Sequence, residues 1–187
     1  MKIKPNASPD EYNSPYFKRN EKFCAAFESY IAAKEGEVKG SYNAWSYTIF
    51  GKIRKPKSWT LKYKKATYSS GNIWLSSKRQ NLQALAEWTT NWIGNNTVDF
   101  TIRKKIKTDF LRLAISNDWK PLETSKKYII TSKGELPYFL TDLIKALEKL
   151  INSEELYQVE LNNTILKIEL RTDKHHFDIF DKLLNLL

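Results

Sequence analysis

Both histidines of this 187-residue chain are adjacent, in the run Asp173-Lys174-His175-His176-Phe177-Asp178. Imidazoles and carboxylates gathered in this way are donors that bind a divalent metal or share a proton. On a helix, Asp173 with His176 and His175 with Asp178 would be i, i+3 neighbours. No third or fourth ligand follows at a metal-binding spacing, so the simpler expectation is a solvated first helical turn with its acids at the positive end of the dipole. A second constellation is Glu160, Lys167 and Glu169 on the two strands of one hairpin. Two carboxylates and a lysine on adjacent rigid elements are parts that a metal-dependent hydrolase uses. The same alternation of polar residues with Leu and Ile is what any half-exposed hairpin shows, and that reading is preferred. Cys24 stands beside Phe23 in an apolar stretch, the setting of a buried, inert thiol. A single cysteine excludes an intrachain disulfide framework and a Cys-rich zinc site. The patterns GxxxxGK[ST], GxGxxG and GxSxG are absent, which excludes those phosphate cradles and that nucleophile turn. The expectation is a non-catalytic protein with no cofactor and no metal.

The remaining chemistry is electrostatic. The net charge is +10, and it is unevenly placed. Residues 51–120 hold fifteen basic and four acidic side chains, whereas the segments before and after are nearly balanced. Lys52, Arg54, Lys55, Lys57, Lys62, Lys64 and Lys65 fall in the acid-free run KIRKPKSWTLKYKK, and Arg103, Lys104, Lys105 and Lys107 form a second cluster. Trp45, Trp59, Trp74, Trp88 and Trp92 lie in or beside the same segment. Cations interleaved with aromatic rings are the composition of single-stranded nucleic-acid binders, in which charge follows phosphates and rings stack on bases. The site expected from sequence is therefore Lys52, Arg54, Lys55, Lys57, Lys62, Lys64, Lys65, Arg103, Lys104 and Lys105. Three other readings compete. The rings face the core, the lysines guard a sheet edge, or the patch meets an acidic protein or an anionic membrane surface.

Elements must position these groups. Phe23, Phe27, Tyr30 and Ile31 predict a helix over 17–34, ended by Gly36 and Gly40. Residues 41–51 read as a strand and Lys55-Pro56-Lys57 as a turn. Over 58–65 Trp59, Leu61 and Tyr63 alternate with Thr60, Lys62 and Lys64, a strand with one wet, basic face. A short strand at 73–75 and a helix at 78–93, capped by Ser76 or Ser77, are expected next. Val98, Phe100 and Ile102 mark another strand, residues 104–116 a short helix, and 127–131 a strand. Ser132 and Glu135 have capping-box spacing before a long amphipathic helix from Phe139. Leu156–Leu161 and Thr164–Leu170 form a hairpin turning at Asn162-Asn163. A last helix opens at Thr172 or Asp173.

Mixed element order with tight hairpins predicts an α+β fold, with helices on one face of a mainly antiparallel sheet and a C-terminal strand-helix-hairpin-helix unit. Residues 1–15 are expected to be a flexible N-terminal segment and 16–187 a single compact domain. The C-terminal layout (YIITSKGELPYFLTDLIKALEKL, VELNNTILKIEL, FDIFDKLLNLL) is similar to soluble domains of bacterial membrane-linked proteins. That likeness rests on apolar spacing and carries no residue role. No apolar stretch approaches a membrane span, and no secretory signal is read at the start, so a cytoplasmic location is expected. The expected function is binding of an anionic macromolecule, nucleic acid first. The alternatives are an inhibitor, immunity or defence-related factor that binds an acidic protein, and a metal-dependent hydrolase.

Overall fold

The computed structural model describes residues 2–65, 84–92, 98–116, 118–132 and 134–186. Contacts divide the chain into two compact units. One comprises Met1–Trp88 with Arg171–Phe177, the other Thr89–Leu170 with Asp178–Leu187. The described residues form ten strands, mostly antiparallel, and four helices, so the α+β fold predicted from the sequence is observed.

In the first unit, helix α1 (Pro15–Ala33) starts at Ser14, whose hydroxyl accepts from the Tyr16 amide at 3.3 Å, with proline at the first helical position. Phe17, Cys24, Phe27 and Ile31 form its buried stripe. Strands β1 (Ile3–Pro5), β2 (Glu37–Tyr42), β3 (Tyr47–Ile53), β4 (Trp59–Lys65) and β5 (Ala84–Asn91, of which Ala84–Trp88 belong to this unit) hydrogen-bond in that order. Pairing of β1 with β2 is parallel, and β2–β3 and β3–β4 are antiparallel. Val38, Ile49, Ile53, Trp59, Leu61 and Tyr63 are all buried. Each such side chain contributes roughly 1.5–3 kcal/mol. Gly51 allows α1 to come close, because a Cβ there would lie 2.7 Å from both the Phe27 and the Ile31 side chains.

In the second unit, strands β10 (Ile165–Leu170), β9 (Leu156–Asn162), β6 (Phe100–Lys104), β8 (Ser125–Ser132) and β7 (Trp119–Leu122) are neighbours in that order. Helix α2 (Asp109–Ile115) lies between β6 and β7 in the chain. Helix α3 (Phe139–Asn152) buries Leu140, Leu143, Leu147, Leu150 and Ile151. Helix α4 (Phe177–Leu186) buries Ile179, Phe180, Leu183 and Leu184.

Several elements differ from expectation. The strand expected over 41–51 is two strands, β2 and β3, because the Asn43 side-chain oxygen accepts from the Trp45 and Ser46 amides and closes a turn. The helix expected over 78–93 is strand β5 where it is described. Ala84, Ala86, Trp88 and Thr90 are buried on alternate positions, a period of two that outweighs the helical spacing of Leu82, Leu85 and Trp92. The strand expected at 73–75 lies outside the described residues. Ser132 caps no helix, since its hydroxyl donates to the Gly134 carbonyl and α3 begins at Phe139. The hairpin turns at Asn163-Thr164, one residue later than expected, and both residues have positive φ. Finally, α4 begins at Phe177, so Asp173 to His176 are not helical.

Candidate anion-binding face

Strand parity decides where the basic run points. Trp59, Leu61 and Tyr63 of β4 are buried, so Thr60, Lys62 and Lys64 take the opposite face. Pairing extends that face across the unit. Lys39 of β2 lies opposite Phe50 of β3, and Phe50 lies opposite Lys62 of β4. The Lys39 ammonium is 5.5 Å from the centre of the Phe50 ring and the Lys62 ammonium 5.8 Å. One row of this face is therefore cation, ring, cation, at inter-strand steps of about 4.8 Å. The next row holds Lys4, Ser41, Thr48 and Lys64, and the row on the other side holds Glu37, Lys52 and Thr60. All of these side chains are exposed or half-buried. A shallow depression of about 310 Å³ opens among Glu37, Lys39, Phe50, Lys52 and Thr60.

Among the described residues two carboxylates share the face. Glu37 receives the Arg54 guanidinium at 2.7 Å, and Glu87 is on the outward parity of β5. Among the described residues, Lys4, Lys39, Lys52, Lys62 and Lys64 form no ion pair.

The other residues expected at the site are distributed differently. Lys55 is exposed in the turn after β3, and Lys57 beside it is half-buried, with burial pulling its ammonium below the usual lysine range. Lys65 points to the opposite side of the sheet. It is paired with the buried Tyr47 in register, and its ammonium donates to the Asn20 side-chain oxygen of α1 at 3.2 Å. Burial and the nearby Arg19 charge lower its pKa, while Asp173 raises it.

In the second basic cluster Arg103 and Lys104 are paired with acids of their own unit, whereas Lys105 and Lys107 form no ion pair among the described residues. Arg103 donates two hydrogen bonds to the Asp109 carboxylate, each 2.8 Å long, and its guanidinium lies 5.2 Å from the Trp119 ring centre. Asp109 is only 1% exposed and also accepts from the Ile106 amide. This bidentate pair fastens the start of α2 to β6. Lys104 and Lys127 both donate to Glu154, which holds that carboxylate down to about 2. Lys105 is half-buried, with its backbone amide on the Lys127 carbonyl.

The histidine constellation disperses, whereas Glu160, Lys167 and Glu169 stay together as an ion-paired group. Lys167 reaches Glu160 at 3.8 Å and Glu169 at 3.3 Å, so its ammonium ties the two carboxylates together. Asp173 pairs with Arg19 at 2.6 Å, and Asp178 with Lys149 at 3.4 Å. The His176 ring meets the Thr172 hydroxyl at 3.1 Å. Without a helix the i, i+3 pairings expected for these residues do not form. Among the described residues no group of three His, Cys, Asp or Glu side chains is placed to hold a metal ion.

His175 instead anchors the 171–177 segment within the first unit. Its Nε2 donates to the Phe23 carbonyl at 2.9 Å, and its ring stacks on Phe23 and Phe177. The Tyr63 hydroxyl donates to the His175 carbonyl at 2.6 Å and accepts from the Trp88 indole at 3.1 Å. Burial lowers the imidazole to about 4, outweighing the Phe23 bond, and pushes the Tyr63 phenol up. Cys24 is buried, and its thiol is pushed up to about 12, mainly by burial. That is the inert state expected of it.

Lys4, Lys39 and Phe50 were not legible as site residues from charge runs, because each stands alone in the sequence. The alternation in β2 and β3 carried the signal, but only the strand pairing brings the three together. No protein-family model matches this chain, and no curated protein shows significant sequence similarity to it.

Proposed function

We propose that this chain is a non-catalytic binding protein whose outward face on β1–β4 holds an anionic polymer, single-stranded nucleic acid first. The observation that carries this reading is the Lys39–Phe50–Lys62 row. Phe50 offers a ring on which an unstacked base can lie, and the two ammonium groups beside it meet the flanking phosphates. Lys52, Lys64 and Lys4 extend the positive track, while the Ser41, Thr48 and Thr60 hydroxyls supply neutral donors. A half-buried ring on an open sheet face suits a strand whose bases are free, not one paired in a duplex.

The test is fluorescence anisotropy with labelled oligothymidylate and oligouridylate over a range of salt concentrations. Binding tighter than about 100 µM at low salt is expected, weakening with added salt as counterions are released. Phe50→Ala should weaken binding about fivefold or more, the usual range for a lost stacking ring. Lys65→Ala should leave it unchanged, because Lys65 is on the other side of the sheet. If neither oligonucleotide binds at about 100 µM, the nucleic-acid reading fails and an acidic protein becomes the partner of this face.

A further inference from the structure

The second unit carries a surface of another kind. Helix α2 turns Asp109 inward and presents Phe110, Leu111 and Ile115 outward, with Ile106 just before it. These four side chains are 68%, 51%, 83% and 55% exposed, respectively. A short surface helix normally shows polar residues there. The Arg103–Asp109 pair holds the helix in this orientation, so the apolar face is built into the fold. Two lysines stand beside it in the chain. Lys105 and Lys107 immediately precede the helix and form no ion pair among the described residues. The Lys105 amide rests on Lys127, next to Lys126.

We propose that α2 is a membrane-contact element that inserts Phe110, Leu111 and Ile115 into the interface of an anionic bilayer while Lys105 and Lys107 meet lipid headgroups. Protruding apolar side chains with two lysines just before them match the two components of interfacial binding, burial at the acyl boundary and attraction to anionic lipid. Long lysine stems reach the headgroups while their methylenes stay in the apolar layer. A second copy of the chain fits less well, since pairing two such faces would set like charges against each other. This surface is independent of the face on β1–β4.

The test is co-sedimentation of the full chain with vesicles of phosphatidylcholine alone and of phosphatidylcholine mixed with phosphatidylserine, with light scattering to read its mass. The chain should favour the anionic vesicles by about tenfold or more, and Phe110→Ser with Ile115→Ser should remove that preference. Lys105→Glu with Lys107→Glu should do the same, whereas Lys62→Glu should not. If the double serine variant misfolds by circular dichroism, Ile115→Ser alone, at the most exposed position, carries the test. No vesicle binding, or binding that survives the serine variants, overturns the proposal. A dimer that Ile115→Ser dissociates would assign the face to a second copy. Phe110-dependent binding of polyglutamate would assign it to an acidic protein. Either result also overturns the proposal.

Discussion

The two basic clusters, 52–65 in the first unit and 103–105 in the second, look alike as sequence and are opposite as chemistry. In the first, strand parity turns Lys52, Lys62 and Lys64 outward, and pairing adds Lys4, Lys39 and Phe50. In the second, Arg103 has met Asp109 and Lys104 has met Glu154, both acids of their own unit, and Lys105 forms no ion pair among the described residues. A count of charges per segment therefore does not locate a binding surface. What matters is whether the fold places a carboxylate within reach, since a buried bidentate pair is structural while an exposed lysine keeps its field.

The largest expected effect breaks the second cluster. Asp109→Ala leaves the Arg103 guanidinium without its carboxylate in a half-buried site, and should destabilise the chain by about 3–5 kcal/mol in denaturant titration. A loss below about 1 kcal/mol would make Arg103 as available as Lys62 and erase the contrast.

Acid should separate the two units. His175 is held at about 4 in the folded chain against an ordinary 6.5, so the unfolded chain takes up its proton first. Its contribution is complete above pH 6.5 and is lost as pH falls towards 4, by up to about 3 kcal/mol. The Glu154 carboxylate, held at about 2, contributes above its ordinary 4.5 and is lost only as pH falls towards 2. Hydrogen exchange should therefore show the first unit loosening before the second, and His175→Gln should flatten the slope between pH 6.5 and 4. Equal loosening of both units at pH 5 would contradict this assignment.

A smaller effect comes from Tyr63→Phe, which removes the donor to the His175 carbonyl and the acceptor for the Trp88 indole. It should cost about 1–3 kcal/mol, read by the denaturation midpoint. Smallest of all, Lys62→Glu should change stability by less than about 0.5 kcal/mol, because a half-buried strand lysine with no ion pair among the described residues contributes little to folding.

How much of this was legible in the sequence depends on the range of the signal. The α+β class, the parity of Trp59, Leu61 and Tyr63, and the apolar stripe of α3 were all local patterns, and all are observed. A charge run does not say where a strand's last residue points, so Lys65 lies on the opposite side from Lys62 and Lys64. It shares its face with Tyr63, and the Asn20 oxygen receives it there. The helix expected over 78–93 gave way, where described, to β5, since the burial of Ala84, Ala86 and Trp88 is set by neighbours the sequence does not name. Likewise, Arg103 was grouped with the available cations because its acid lies six residues on, in an element whose approach only the fold determines.

The most direct test compares the two clusters in one assay. Anisotropy of labelled oligothymidylate is measured against salt for the wild type, for Lys39→Glu with Lys62→Glu, and for Lys104→Ala. The face on β1–β4 predicts that the first variant loses about tenfold or more in affinity and flattens the salt slope, because two phosphate contacts vanish. Lys104→Ala should stay within about twofold of the wild type, since its ammonium already serves Glu154. Equal losses in both variants, or a loss confined to Lys104→Ala, would contradict the account.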